Sequence, residues 1–137
     1  MLEFTGINYW AVTVVWLVYI AVGAWWYSPA GFAKRWKTYT GIDLLKLPKK
    51  DVNQAIVSVI VSSLLQSFAL AVILNSVGVK SVTEGLSVGL LIWFAFTTAS
   101  TVGVTLYSKR SWKFLWLNSA YFFVVMTIAS IILTVWK

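Results

Sequence analysis

Residues 52–76 read VNQAIVSVIVSSLLQSFALAVILNS, a run of 25 residues without a charged side chain. About 20 mostly apolar residues are enough for a helix to cross a bilayer, so this run can form one membrane span. Three more charge-free runs of similar length occupy residues 7–27, 85–107 and 114–136. Each run is apolar all round and does not alternate with a period of two, which favours helices over strands. The sequence therefore predicts an all-α, integral membrane four-helix bundle.

The composition places the whole chain, residues 1–137, in one membrane domain. Of the 137 residues, 60% are hydrophobic and 11% are charged, whereas a soluble domain has about 25% charged residues. A water-soluble globular domain is excluded because so few side chains could face water. The chain also contains no Cys and no His. This excludes disulfides, thiolate or imidazole metal sites and His-based acid–base chemistry.

The four apolar runs also contain no Asp, Glu, Lys or Arg. Proton-coupled transporters rely on ionisable groups within the membrane, and hydrolases need a nucleophile with a base or a metal. We therefore expect a protein that is not an enzyme, needs no metal or cofactor and is not driven by protons.

The distribution of positive charge predicts the orientation. Residues 28–51 and 108–113 hold nine of the eleven Lys and Arg residues, whereas the other side has only Lys80 and Lys137. Because Lys and Arg favour cytoplasmic loops, we expect a cell-membrane protein with both termini outside. The predicted partner is the bilayer itself, with anionic headgroups on the cytoplasmic side, and no nucleic acid is expected. The basic residues assigned to this interface are Lys34, Arg35, Lys37, Lys109 and Arg110.

The cytoplasmic loop, residues 28–51, has a helical pattern of its own. Ser28 and Pro29 are typical of a helix start, and Gly41 is typical of a helix end. Between them, aromatic residues recur at i, i+4 and i+7, namely Phe32, Trp36 and Tyr39. This pattern predicts a short amphipathic helix in the membrane interface. Anchoring is the simpler interpretation of it, and docking of a partner or an acidic ligand is the alternative.

Neutral polar and small residues form stripes on two of the runs. On the second run these are Gln54, Ser58, Ser62 and Gln66, and on the third they are Gly85, Gly89, Thr97 and Thr101. Small residues let helices approach closely, and Ser, Thr and Gln hydrogen-bond between helices. We interpret the stripes as helix-packing surfaces. The alternative is a polar pathway through the membrane.

Two tryptophans, Trp16 and Trp93, lie near the middle of their runs and away from the interfaces. An indole N–H in hydrocarbon needs an acceptor, because an unsatisfied donor there is costly. We therefore predict that both side chains face the interior of the bundle. A pocket for an apolar or quinone-like molecule around these two residues is a further hypothesis.

Two sequence strings resemble a known family. The first is GAWWYSP at residues 23–29, and the second is KFLWLNSAY at residues 113–121. Both are similar to motifs of the prokaryotic family of small membrane proteins catalogued as domain of unknown function 1761, in which glycine usually stands at the position of Ala120. The resemblance implies a four-helix membrane fold and assigns no chemistry. The residues that it singles out are Trp26, Tyr27, Ser28, Pro29 and Asn118.

These features lead to three functional hypotheses. The leading one is a non-enzymatic multi-pass protein that assembles with itself or serves as an accessory subunit of a larger membrane complex. The second is a small homo-oligomeric channel or carrier for a neutral or weakly polar solute, built around the polar stripes. The third is a lipid- or quinone-binding bundle.

Overall fold

The charge-free runs form four long helices in this protein, for which a computed structural model describes residues 1–136. The first span is Tyr9–Trp26, the second Lys49–Val77, the third Val82–Tyr107 and the fourth Trp112–Val135. Each is long and apolar enough to cross a membrane, and residues 1–136 contain no strand. The predicted all-α membrane bundle is confirmed, and the chain is a multi-pass membrane protein.

The ends of the spans differ from the predicted ends by at most three residues. The second span begins at Lys49 because Pro48 precedes its first turn, so three charged residues lie inside the helix. The third span begins earlier for a similar reason, since the Ser81 hydroxyl accepts a hydrogen bond from the Glu84 amide at 3.3 Å. Capping residues therefore define these two helix starts, and the first charge-free residue does not.

A short helix, Ala33–Thr40, follows the first span. The prediction that it begins at Ser28 and Pro29 is wrong, because residues 28–32 form a turn against the end of the first span. The predicted end is confirmed, since Gly41 has a φ of 75° and its amide donates to the Lys37 carbonyl. Beyond it, the Lys37 ammonium lies 2.8 Å from the Asp43 carboxylate. This hydrogen bond holds the pKa of Asp43 below its usual value.

The fourth span is the most extensively buried helix and forms the centre of the bundle. It packs against the first and third spans, and the first span also packs against the second. The core between them is apolar and includes Val15, Tyr19, Val125 and Ala129. The second span contacts the third only slightly, and its residues 53–62 are all exposed. The bundle is therefore open along the half of the second span that follows the short helix.

The third span contains an irregular segment that the sequence analysis did not predict. Its α-helical ends, Val82–Ile92 and Ser100–Tyr107, flank a π-helical segment, Trp93–Ala99. A π-helix hydrogen-bonds from i to i+5, so residues five apart share a face. Trp93 and Thr98 consequently point towards the same neighbour, the fourth span.

The N-terminal leader is tied to the far end of the second span. The Asn75 side-chain amide donates to the Thr5 and Glu3 carbonyls at 2.9 and 3.2 Å. In return, the Glu3 amide donates to the Ser76 hydroxyl at 2.7 Å. These contacts close the bundle at the end opposite the short helix.

Candidate functional site

Residues 25–32, which include most of the first sequence string, form a tight turn at the end of the first span. The Ser28 hydroxyl donates to the Trp25 carbonyl at 2.7 Å and accepts from the Gly31 amide at 3.3 Å. The Phe32 amide donates to the Trp26 carbonyl at 2.7 Å. The turn therefore satisfies carbonyls that the end of the helix leaves free and directs the chain into the short helix.

The two sequence strings meet at one hydrogen bond. The Tyr27 hydroxyl donates to Asn118 Oδ1 of the fourth span at 2.9 Å. Beside it, the Trp26 ring is buried, with its centroid 4.5 Å from that of Phe32 and 6.1 Å from that of Tyr121. The Trp26 indole N–H has no hydrogen-bond partner within residues 1–136. The motif residues thus lock the end of the first span to the fourth, while Pro29 stays exposed.

A cleft of about 690 Å³ lies between the first, second and fourth spans, next to this hydrogen bond. Trp36 of the short helix and Leu44 line its end nearest the basic loops. Its wall extends from Ala55 to Gln66 along the second span and from Phe114 to Phe122 along the fourth. At 1.5 Å per residue these stretches are about 12–17 Å long, close to half of the roughly 30 Å hydrocarbon core. The cleft therefore has the depth of one leaflet.

The wall of the cleft is neutral and largely apolar. Among the described residues, none that lines it is charged. Its aromatic members are Tyr19, Tyr27, Trp36, Phe114, Tyr121 and Phe122. Residues 1–136 also contain no group of three or more carboxylate, His or Cys side chains that could hold a metal. The groups that the site offers are therefore apolar and aromatic surfaces with a few neutral hydrogen-bonding groups.

The predicted stripe on the second span is divided in the structure. Ser62 and Gln66 line the cleft, whereas Gln54 and Ser58 are exposed and lie outside it. The hydroxyls that pack inside the bundle belong instead to Ser63 and Ser67, which are both buried. The stripe thus forms neither one packing surface nor one continuous pathway.

On the third span, the glycines and the threonines behave differently. Gly85 and Gly89 are buried against Thr134 and Ser130 of the fourth span, so close that a Cβ at either glycine would overlap the facing hydroxyl. Thr97 and Thr101 do not make such contacts, and the Thr101 hydroxyl bonds to carbonyls of its own helix, those of Thr97 and Thr98.

The residue that reaches the fourth span is Thr98, whose hydroxyl shares a hydrogen bond with that of Ser119. This buried pair does not follow from the predicted stripes, which contain neither residue. A four-residue row assigns Thr97 to the packing face, but the π-helical segment moves Thr98 there. The sequence feature that could have indicated Thr98 is its position five residues after Trp93.

The two mid-span tryptophans do not form a common pocket. The Trp16 indole N–H donates to the Ile60 carbonyl of the second span at 3.0 Å. That of Trp93 donates to the Ser119 carbonyl of the fourth span at 2.8 Å. Each indole therefore joins a different pair of helices, and neither lines the cleft. The structure therefore does not bring Trp16 and Trp93 together at one site.

The basic residues lie around the end of the cleft nearest the short helix. Lys34, Arg35 and Lys37 are exposed on that helix, and Lys109 is exposed in the loop before the fourth span. Arg110 has a structural contact, because its guanidinium donates to the Thr40 carbonyl at 2.6 Å. This bond holds the end of the short helix against the start of the fourth span.

Comparisons with known proteins identify the family. Searches of curated proteins and of solved structures gave no match. The family model described as protein of unknown function (DUF1761) matches residues 10–134, which reach from the first span into the fourth and include the turn at residues 25–32 and Asn118. The resemblance seen in the sequence is confirmed, and the chain belongs to the DUF1761 family.

Proposed function

We propose that this protein is a non-enzymatic membrane protein that binds a lipid-like amphiphile in the cleft. The observation that carries the proposal is an apolar space of about 690 Å³, open between three helices and one leaflet deep. Ligand sites are typically concave, mostly apolar cavities of about 300–1,000 Å³. In a bilayer such a space fills with the apolar chain of a neighbouring molecule, because hydrocarbon is the surrounding solvent.

The shape of the cleft supports binding over conduction. A pore needs polar groups along the full thickness of the membrane, whereas this cleft extends over one leaflet and its wall is largely apolar. Gln54 and Ser58 are exposed, so they do not add polar groups to the wall of the cleft.

Association with a second copy, or with another membrane subunit, is the second candidate. The exposed part of the second span favours it, since residues 53–62 are all exposed and only partly covered by the first span, whose Trp16 bonds to the Ile60 carbonyl. Helices in membranes associate through packing and interhelical hydrogen bonds, and exposed Gln54 and Ser58 offer the latter. A partner helix and an amphiphile would compete for the open side of the cleft.

Native mass spectrometry after extraction in a mild detergent tests both candidates. We expect the 15.4 kDa chain to carry a bound amphiphile. The double variant Ala55→Trp with Val59→Trp should lose it, because both residues line the cleft one helical turn apart. The matched control is Val57→Trp with Val61→Trp, which has the same spacing on exposed positions outside the cleft.

Three outcomes separate the candidates. An adduct that only the cleft variant removes supports amphiphile binding. Multiples of the chain mass, or foreign subunits, without an adduct support association instead. Equal adducts on the wild type and both double variants contradict the cleft as the binding site, because filling it then changes nothing.

The orientation is a separate proposal, with the basic loops and the short helix on the cytoplasmic side against anionic headgroups. The exposed Lys34, Arg35 and Lys37 support it, because each Lys or Arg near an anionic surface contributes about 1 kcal/mol. Since the chain has no Cys, single cysteines are clean probes. A membrane-impermeant maleimide should label Lys80→Cys in intact cells and Lys37→Cys only after lysis. The reverse pattern would invert the topology.

A further inference from the structure

The polar groups in the wall of the cleft are not all satisfied by partners within residues 1–136. The Tyr121 hydroxyl donates to the Tyr19 carbonyl at 3.1 Å, and the two wall serines bond to their own helix. Asn118 Oδ1 accepts from Tyr27, but its Nδ2 group makes no hydrogen bond within residues 1–136, and neither does the side chain of Gln66.

Gln66 and Asn118 thus line the cleft with amide donors that have no partner in the described part of the chain. Gln66 lies near the middle of the second span, and Asn118 lies about two turns from the start of the fourth. A free amide donor in hydrocarbon is unfavourable, and a saturated acyl chain offers it no acceptor. An occupant that satisfies both amides must carry acceptors below the level of a lipid headgroup.

The rest of the wall restricts the polar part of the occupant further. Because none of the described lining residues is charged, nothing along the wall beside the two amides compensates an ionic group, and burying an unpaired charge is costly. The basic residues lie only around the end of the cleft nearest the short helix. Six aromatic side chains contribute to the wall, and aromatic surfaces favour flat rings in stacked or edge-to-face contact.

We infer that the cleft binds a quinone-like molecule: a neutral, planar, carbonyl-bearing ring on a long apolar chain, with its carbonyls accepting hydrogen bonds from Gln66 and Asn118. This inference rests on the proposed function, since it requires that the cleft binds an amphiphile. The chain then lies along the apolar part of the wall and leaves through the open side at the second span. The binding is recognition only, with no redox step assigned to the protein.

Binding of 2-decyl-1,4-benzoquinone to the purified protein in nanodiscs tests this inference, with palmitate as an anionic comparison of similar apolar length. We expect the quinone to bind more tightly than palmitate. Gln66→Leu should raise the Kd for the quinone about 3- to 30-fold, the range for one hydrogen bond in a membrane. Gln54→Leu is the matched control, because it removes an exposed glutamine of the same helix outside the cleft.

Infrared spectroscopy provides a readout that a structural role of Gln66 would not change. Hydrogen bonding lowers the carbonyl stretching frequency of the bound quinone, and Gln66→Leu should return one carbonyl to its frequency in lipid. Equal binding of quinone and palmitate, with no effect of Gln66→Leu, would overturn this inference and leave the proposed function standing. No saturable binding of either probe, even at the wild-type cleft, would remove both.

Discussion

Gly31→Ala is expected to lower the free energy of unfolding by about 3 kcal/mol, one of the largest effects of any single methyl group in this chain. A Cβ at Gly31 would overlap the Trp25 carbonyl oxygen and lie 2.8 Å from that of Trp26. Both atoms are backbone, so no side-chain rotation can relieve the contact. Moving them apart would break the bond from the Phe32 amide to the Trp26 carbonyl, which is 2.7 Å long.

The effect of Gly31→Ala should extend to the cleft. The turn directs the chain into the short helix, and Trp36 of that helix lines the cleft. We therefore expect weaker amphiphile binding in the fraction that remains folded.

Reversible unfolding in mixed micelles, followed by circular dichroism, measures the change in stability. Gly103→Ala is the control, because a Cβ there would meet nothing within 4 Å beyond the neighbouring backbone of its own helix, and alanine is the better helix former. If Gly31→Ala unfolds at the same denaturant fraction as Gly103→Ala, the turn is not the constraint described here.

The membrane spans could be predicted closely because each depends on a local property of the sequence. A run without charges is long enough to cross the membrane or it is not. The largest differences from the predicted ends, three residues each, occur where the caps Pro48 and Ser81 extend a helix. The choice of Tyr27 and Asn118 as important residues came from a family resemblance. Their shared hydrogen bond could not be predicted, since 91 residues separate them.

The faces of the helices were harder to predict than their ends. The row at Gln54, Ser58 and Ser62 and the buried pair Ser63 and Ser67 have similar composition, so the sequence of one helix does not decide which faces its neighbours. The cleft has no local signal at all. It lies where the first, second and fourth spans meet. How these spans meet depends on the packing of side chains that are far apart in the sequence.

Gly89→Leu is expected to lower the free energy of unfolding by about 3 kcal/mol, because it separates the third and fourth spans. A Cβ at Gly89 would overlap the Ser130 hydroxyl and lie 3.1 Å from its Cβ and 3.6 Å from the Met126 carbonyl. The Ser130 hydroxyl is buried without a conventional hydrogen-bond partner in residues 1–136, so it packs directly on the glycine. Without a hydrophobic force between helices in lipid, this close approach provides much of the packing between the two spans.

Three variants distinguish this steric mechanism from a general loss of helix stability. Gly103→Leu, in the same span with open space around it, should unfold like the wild type. Gly89→Ala should be destabilised less than Gly89→Leu, and adding Ser130→Ala should restore part of that loss, because the overlapping oxygen is removed.

The third span does not line the cleft, so the folded fraction of Gly89→Ala should bind the decyl-benzoquinone with the wild-type Kd. A loss of binding that exceeds the loss of folded protein would mean that the third span also shapes the cleft.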